Sequence, residues 1–255
     1  MDARGLHELR NGVIGLRSVL VWSFLITNDR EVVAIDTGFG PQGRWVKQWF
    51  KRTGRSPRDL KAILLTHGHV DHIGCAAELQ RWSKAPIFLH PADHDLAKGT
   101  YSGPWPSKFL ANVERSSRLL WWTRRFKVTH EVNDGDRLPF CGGIDAIHLP
   151  GHTPGQVGYR WNEQKILFPA DAILSIGGRA AFPKSTFNMD DALARKSVLR
   201  LAPMEIDWVL PCHQTTPKHN LITDIRRYAE ARAAQSNTVS QPVASTRQES
   251  PGGGS

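Results

Sequence analysis

Residues 66–72 read Thr-His-Gly-His-Val-Asp-His, and nothing else in the chain restricts its fold as tightly. Three imidazoles and a carboxylate are crowded between His67 and His72. The apolar run Ala62-Ile63-Leu64-Leu65 precedes them, and the helix-forming Cys75-Ala-Ala-Glu-Leu-Gln-Arg follows. That context predicts a buried strand, a short ligand-bearing loop and a helix start. In an extended segment, residues two apart point the same way, so His67 and His69 can share one metal ion. Asp71 and His72 lie past the turn and aim towards a second ion. One loop cannot enclose two ions, so further ligands must arrive from other strand ends.

Three downstream positions meet that requirement. His152 sits between two Pro-Gly turns in Leu149-Pro-Gly-His-Thr-Pro-Gly155, Asp171 ends Ile166-Leu-Phe-Pro-Ala-Asp, and His213 ends Trp208-Val-Leu-Pro-Cys-His. Singly they read as a turn residue, a helix cap and a core histidine. Following the histidine-rich loop, they form a set.

The pattern around them alternates strands and helices. Strands are predicted over 18–26 and 31–35, joined at Asn28-Asp29-Arg30, with a helix opening at Pro41 and carrying Trp45, Val46, Trp49 and Phe50 on one side. Further strands are predicted at 86–89, 127–132, 144–149, 156–161, 165–168 and 207–210. Helices are predicted from Pro91, over 190–201 and over 221–234. Two β-rich halves packed sheet on sheet, with helices outside, account for this order. Residues 99–127 interrupt it with Tyr101, Trp105, Phe109, Trp121, Trp122 and Phe126 among arginines, and read as a loop and helix laid over the main body. A single folded domain is expected to span 1–235. Residues 236–255 are expected to be a disordered tail, ending in a linker-like Gly-Gly-Gly-Ser.

With 255 residues, 40% of them hydrophobic, a full core fits in one domain. The three cysteines form neither a CxxC pair nor a disulfide framework. No apolar leader or membrane-length run is seen, so a cytoplasmic protein is expected. The net charge of +9 is concentrated partly over 98–127, which holds seven Lys/Arg against Glu114 alone. Without a nucleic-acid-binding signature this reads as a solvated basic face, and the expected partner is a small-molecule substrate.

Taken with Asp36-Thr37-Gly38, these motifs resemble the metallo-β-lactamase-fold metal-dependent hydrolase superfamily over residues 13–234. The resemblance implies an α/β fold, a four-layer αββα sandwich, with a dinuclear metal site at one edge of the two sheets. It implies that His67, His69 and His152 hold one ion, that Asp71, His72 and His213 hold the other, and that Asp171 bridges them. Asp36 would orient a ligand. Zinc is the first choice for mixed His/carboxylate donors, with iron, manganese or cobalt also suited. Two divalent cations sharing a water make hydroxide available at neutral pH, and Asp71 is placed to accept and pass on its proton. Where many members have Gly-His-Gly at the last ligand, this chain has Cys212-His213-Gln214. His90, His94, His148 and His219 match no ligand position.

Among members, the pattern is closest to dinuclear lactonases and glyoxalase II-like thioesterases. The expected reaction is hydrolysis of a small ester-like substrate, with an acyl homoserine lactone first. Thioester hydrolysis, β-lactamase-type activity and a non-hydrolytic di-iron module are the alternatives. Against β-lactam hydrolysis stands Asp171, because true β-lactamases generally lack the bridging carboxylate. The lactonases place a tyrosine three residues beyond that aspartate, where this chain has Leu174. Trp105, Phe109, Trp121 and Trp122, with Leu174, are the candidate substrate contacts. The same aromatics could equally pack on the body or form a homodimer contact.

Overall fold

The computed structural model describes residues 5–10, 12–18, 21–28, 30–117, 125–214 and 221–239. Its first sheet has seven strands in chain order: β1 (Leu6–Arg10), β2 (Val13–Arg17), β3 (Trp22–Thr27), β4 (Val32–Ile35), β5 (Leu60–Leu64), β6 (Ile87–Leu89) and β7 (His130–Glu131). β1 to β4 form an antiparallel meander, and β4 to β7 run parallel. The parallel steps need crossovers, supplied by the helices α1 (Gln42–Arg52), α2 (Val70–Ile73), α3 (Ala76–Ser83), α4 (His94–Lys98) and α5 (Lys108–Ser117).

The second sheet contains β8 (Arg137–Leu138), β9 (Ile144–His148), β10 (Val157–Trp161) and β11 (Ile166–Phe168). After a hairpin of β12 (Leu174–Ile176) and β13 (Arg179–Ala181), and the helix α6 (Asp191–Leu199), the strand β14 (Trp208–Val209) pairs in parallel with β11. The helix α7 (Leu221–Val239) follows.

Side-chain alternation builds the layers. On β5, Ala62 and Leu64 enter the core between the two sheets, while Ile63 and the following Leu65 face α1 and α3, and a register shift just before Ala62 turns Leu60 to that same side. On β11, Ile166 and Phe168 join the inter-sheet core, while Leu167 packs with Val198 of α6 and Leu221 and Ile225 of α7. Three hydrophobic clusters therefore separate four layers, and the expected αββα sandwich is the observed fold. Tyr159 and Trp161 of β10 fill the central layer, and the Tyr159 hydroxyl donates across it to the Leu65 carbonyl (3.1 Å).

Several boundaries differ from the sequence reading. The β1–β2 hairpin was not anticipated, although Asn11-Gly12 is a strong hairpin signal and Gly12 adopts φ +80°. The β12–β13 hairpin turns on Gly177-Gly178, both with positive φ, and was likewise missed. β7 is only two residues long. α7 runs to Val239, past the tail boundary expected at Ser236, because no glycine or proline interrupts the chain before Pro242. Among the described residues, no helix is long and apolar enough to cross a membrane.

Candidate metal centre

β4 and β5 are parallel, so their C-terminal ends emerge side by side, and β9, β11 and β14 end at the same edge of the other sheet. Every strand-end candidate is delivered there. His67, His69, His72, His152 and Asp171 are buried, whereas the side chains of Asp71 and His213 are each 28% exposed and mark the side open to solvent.

The ring nitrogens of His67, His69 and His152 converge. His69 Nδ1 lies 3.1 Å from His67 Nε2 and 3.0 Å from His152 Nε2. Tetrahedral donors about 2.0–2.1 Å from zinc would stand roughly 3.3 Å apart, close to this spacing. Burial holds His67 well below the usual histidine range and brings His152 down to about 4, with neighbouring imidazoles adding to both shifts. Both rings are therefore neutral at pH 7, the form a ligand needs.

The second group gathers around Asp171. Its Oδ2 is 3.3 Å from His152 Nε2 and 3.4 Å from His213 Nε2, and its Oδ1 is 3.4 Å from His72 Nε2. One carboxylate thus touches both groups. Asp71 Oδ2 closes the second group, 3.6 Å from His72 Nε2 and 3.5 Å from His213 Nε2. Burial opposes charge on these two histidines, but surrounding carboxylates overcome it. Asp71, Asp36 and Asp171 raise His72 to about 10, and Asp171 and Asp71 raise His213 to about 9. His72 Nε2 is buried, makes no hydrogen bond and faces two carboxylates. Only a proton or a metal cation satisfies it, so the donor set fits a divalent ion.

Asp36 underlies both groups. Its Oδ1 accepts from the Thr66 backbone N–H (2.8 Å), and its Oδ2 lies 2.8 Å from His72 Nδ1 and accepts from the Thr66 hydroxyl. Having given its proton to Asp36, that hydroxyl can only accept from His67 Nδ1–H, 3.0 Å away. The Nε2 lone pair of His67 is then left pointing into the first group. Thr37 completes the buckle, its backbone N–H and its hydroxyl both donating to the His72 carbonyl.

Sequence reasoning missed Asp93, which is fully buried at the start of α4. Its Oδ2 accepts from the Gly68 N–H (2.9 Å) and the Thr153 hydroxyl (2.8 Å), and its Oδ1 from the Gly155 N–H (2.7 Å). It ties the loop of His67 and His69 to the loop of His152. Burial pushes its carboxyl upward against those three hydrogen bonds. Gly68 must be glycine here, since a Cβ would lie 2.7 Å from the Ala97 backbone nitrogen. Asp93→Asn has one acceptor oxygen where three donors need two. It is expected to weaken metal binding about 10–100-fold, with partial rescue of stability by Thr153→Val in the same chain. Competition titration with a chelator checks this, and unchanged affinity would remove Asp93 from the site. Gln156, also missed, accepts from the Asp171 N–H through Oε1 (3.2 Å).

The remaining candidates scatter. Trp105 is half-buried, edge-on to Tyr101, and Phe109 is exposed near Phe187. Leu174 is half-buried on β12 opposite Ala181. Trp121 and Trp122 lie outside the described residues, as does His219. His90 stacks on His148 away from both groups (centroids 4.3 Å apart), and His94 joins neither group. The helix expected over the body is α5, whose Glu114 accepts from the Val70 N–H in the metal loop (3.4 Å). Between α4 and α5 lies a cavity of about 540 Å³, lined by Leu96, Tyr101, Trp105 and Glu114.

Known proteins share both sequence and fold with this chain. The chain is 26% identical to the probable metallo-hydrolase YflN of Bacillus subtilis, over 81% of this chain and 85% of that one. It is 26% identical to the hydroxyacylglutathione hydrolase GloC of Haemophilus influenzae, over 75% and 81%. In structure it resembles BJP-1, a subclass B3 metallo-beta-lactamase of Bradyrhizobium japonicum, with a TM-score of 0.66 at 20% identity over 92% and 93%. A family model described as the metallo-beta-lactamase superfamily matches residues 17–213, taking in every strand from β3 to β14, and on that match the chain belongs to this superfamily.

Proposed function

We propose that this metallo-hydrolase is dinuclear and cleaves a small acyl thioester or ester. The carrying observation is Asp171, whose carboxylate reaches the first group through His152 and the second through His72 and His213. His67, His69 and His152 would hold one ion, and Asp71, His72 and His213 the other, with Asp171 between them. Zinc is the first choice for these donors, and iron, manganese or cobalt also suit them. Two bound ions would supply an activated water at neutral pH and polarise the scissile carbonyl.

The protein's own part is positioning. Asp36 fixes the tautomers of His72 and His67, and Asp93 holds the two histidine loops in register. The substrate enters on the open side, beside Asp71 and His213. Asp71 takes the proton released as water adds to the acyl carbon and delivers it to the departing sulfur or oxygen.

A thioester leads because hydroxyacylglutathione hydrolases recur among the relatives, as in Haemophilus influenzae and Bdellovibrio bacteriovorus. A lactone is the second reading, favoured by the partly apolar cavity beside the metal loop, which could take an acyl chain. The test is kcat/KM of the zinc-loaded protein on a glutathione thioester, an acyl homoserine lactone, a cephalosporin and a phosphodiester. A thioester value of ~10⁴ M⁻¹s⁻¹ or more, well above the others, is expected. A lactone value of that size with a feeble thioester rate would transfer the assignment. Feeble rates on all four would overturn it.

A further inference from the structure

We propose that the Cys212 thiol is an additional donor to the second metal ion, giving that site a sulfur ligand beside its imidazoles and carboxylates. This rests on the metallo-hydrolase reading and extends its ligand set.

Cys212 follows β14 and precedes His213, and its side chain is buried. The backbone is clamped on both sides, because the Cys212 carbonyl accepts from the Trp22 N–H (2.8 Å) and the His213 carbonyl from the Ser175 N–H (3.0 Å). The thiol is therefore aimed by the sheets. Its Sγ lies 2.8 Å from Asp171 Oδ1, the oxygen that also faces His72 Nε2 at 3.4 Å. The donor atoms of His72, Asp171, Cys212 and His213 all fall within 4.8 Å of one another. His72 Nε2, buried and without a hydrogen bond, is aimed into the same space, which is an independent sign that a cation belongs there.

The other cysteines behave differently. Cys75 Sγ contacts the Gly40 carbonyl (3.7 Å) and Cys141 Sγ the Ile26 carbonyl (4.0 Å). Both are buried, and neither belongs to a donor cluster among the described residues.

On metal entry the S–H bond breaks, its proton leaves to solvent, and the sulfur lone pair forms the bond to the ion. No oxidant or reductant is required. A soft sulfur donor shifts preference towards zinc and cobalt and away from manganese.

Cobalt(II) makes the ligand visible. Metal-free protein given two equivalents of cobalt should show a sulfur-to-cobalt charge-transfer band in the near ultraviolet. The band should persist in Cys75→Ser and Cys141→Ser and vanish in Cys212→Ser. In Cys212→Ser the affinity for the second equivalent should fall by at least the roughly 10–100-fold that follows loss of a ligand-orienting partner. Two bound cobalt ions with no such band in the unaltered protein, or a band that survives Cys212→Ser, would overturn the thiol assignment alone. Failure to bind cobalt or zinc at all would overturn the metal reading with it. Should Cys212→Ser not fold, the unaltered protein and the other two cysteine variants still decide the matter.

Discussion

Asp71→Ala is expected to lower kcat by about 10²–10⁴-fold while leaving a folded protein. Two observations separate function from stability at this residue. Its side chain is partly exposed and belongs to none of the three hydrophobic clusters, so truncation opens no cavity. Its Oδ2 stands 3.5–3.6 Å from both His213 and His72, on the solvent-open side where the proposed substrate would arrive. Asp71→Asn divides its two roles. The amide keeps an oxygen for the ion but cannot take a proton, so metal content should be largely retained while kcat stays low. Metal analysis, circular dichroism and steady-state kinetics on both variants check this. Activity close to that of the unaltered protein in Asp71→Ala would remove the residue from the mechanism.

Much of the fold was legible because its central elements carried their own signals. The near-continuous apolar runs of β3, β4 and β5 mark strands buried on both faces, and the amphipathic pattern of α1 marks a helix with one side on the core. The strand-end candidates were legible for the same reason, as each stands where an apolar run stops. The structure brings His67, His69 and His152 into one group, and Asp71, His72, Asp171 and His213 into another. The connections beneath them were not legible. Asp93 is 25 residues from Gly68 and 62 from Gly155, and the short helical turn that carries it looks like any other. Thr66 reads as the last polar residue before the motif, although its hydroxyl decides which nitrogen of His67 faces inward. Cys212 carries no ligand signal of its own in the sequence, because the direction of its thiol depends on backbone contacts to β3 and β12. Both hairpins had turn signals at Asn11-Gly12 and Gly177-Gly178, but β12 and β13 are only three residues each, too short for alternation to register.

Asp36→Asn should produce the largest combined loss of stability and metal affinity of any single conservative change at this site. Asp36 adopts φ +57°, a left-handed conformation that Asn tolerates at least as well as Asp, so the substitution tests charge rather than backbone strain. The carboxylate accepts from Thr66 N–H and hydroxyl and lies 2.8 Å from His72 Nδ1, all in buried surroundings. Removing one partner of a buried ion pair costs about 3–5 kcal/mol, because the other charge remains buried and poorly matched. In metal-free protein that charge is His72, which Asp71, Asp36 and Asp171 raise from 6.5 to about 10 despite its burial. A raised histidine contributes stability that is fully present below pH 6.5 and is lost as pH rises through about 10. The stability gap between unaltered protein and Asp36→Asn should therefore be widest below pH 6.5 and shrink towards pH 10. Urea unfolding in the presence of a chelator measures it across that window. Metal affinity should fall about 10–100-fold in the same variant, because His72 loses its anchor directly and His67 loses its own through Thr66. A gap of constant size from pH 6.5 to 10 would mean that the Asp36–His72 contact is an ordinary hydrogen bond, and that the second histidine group is held neutral before any ion arrives.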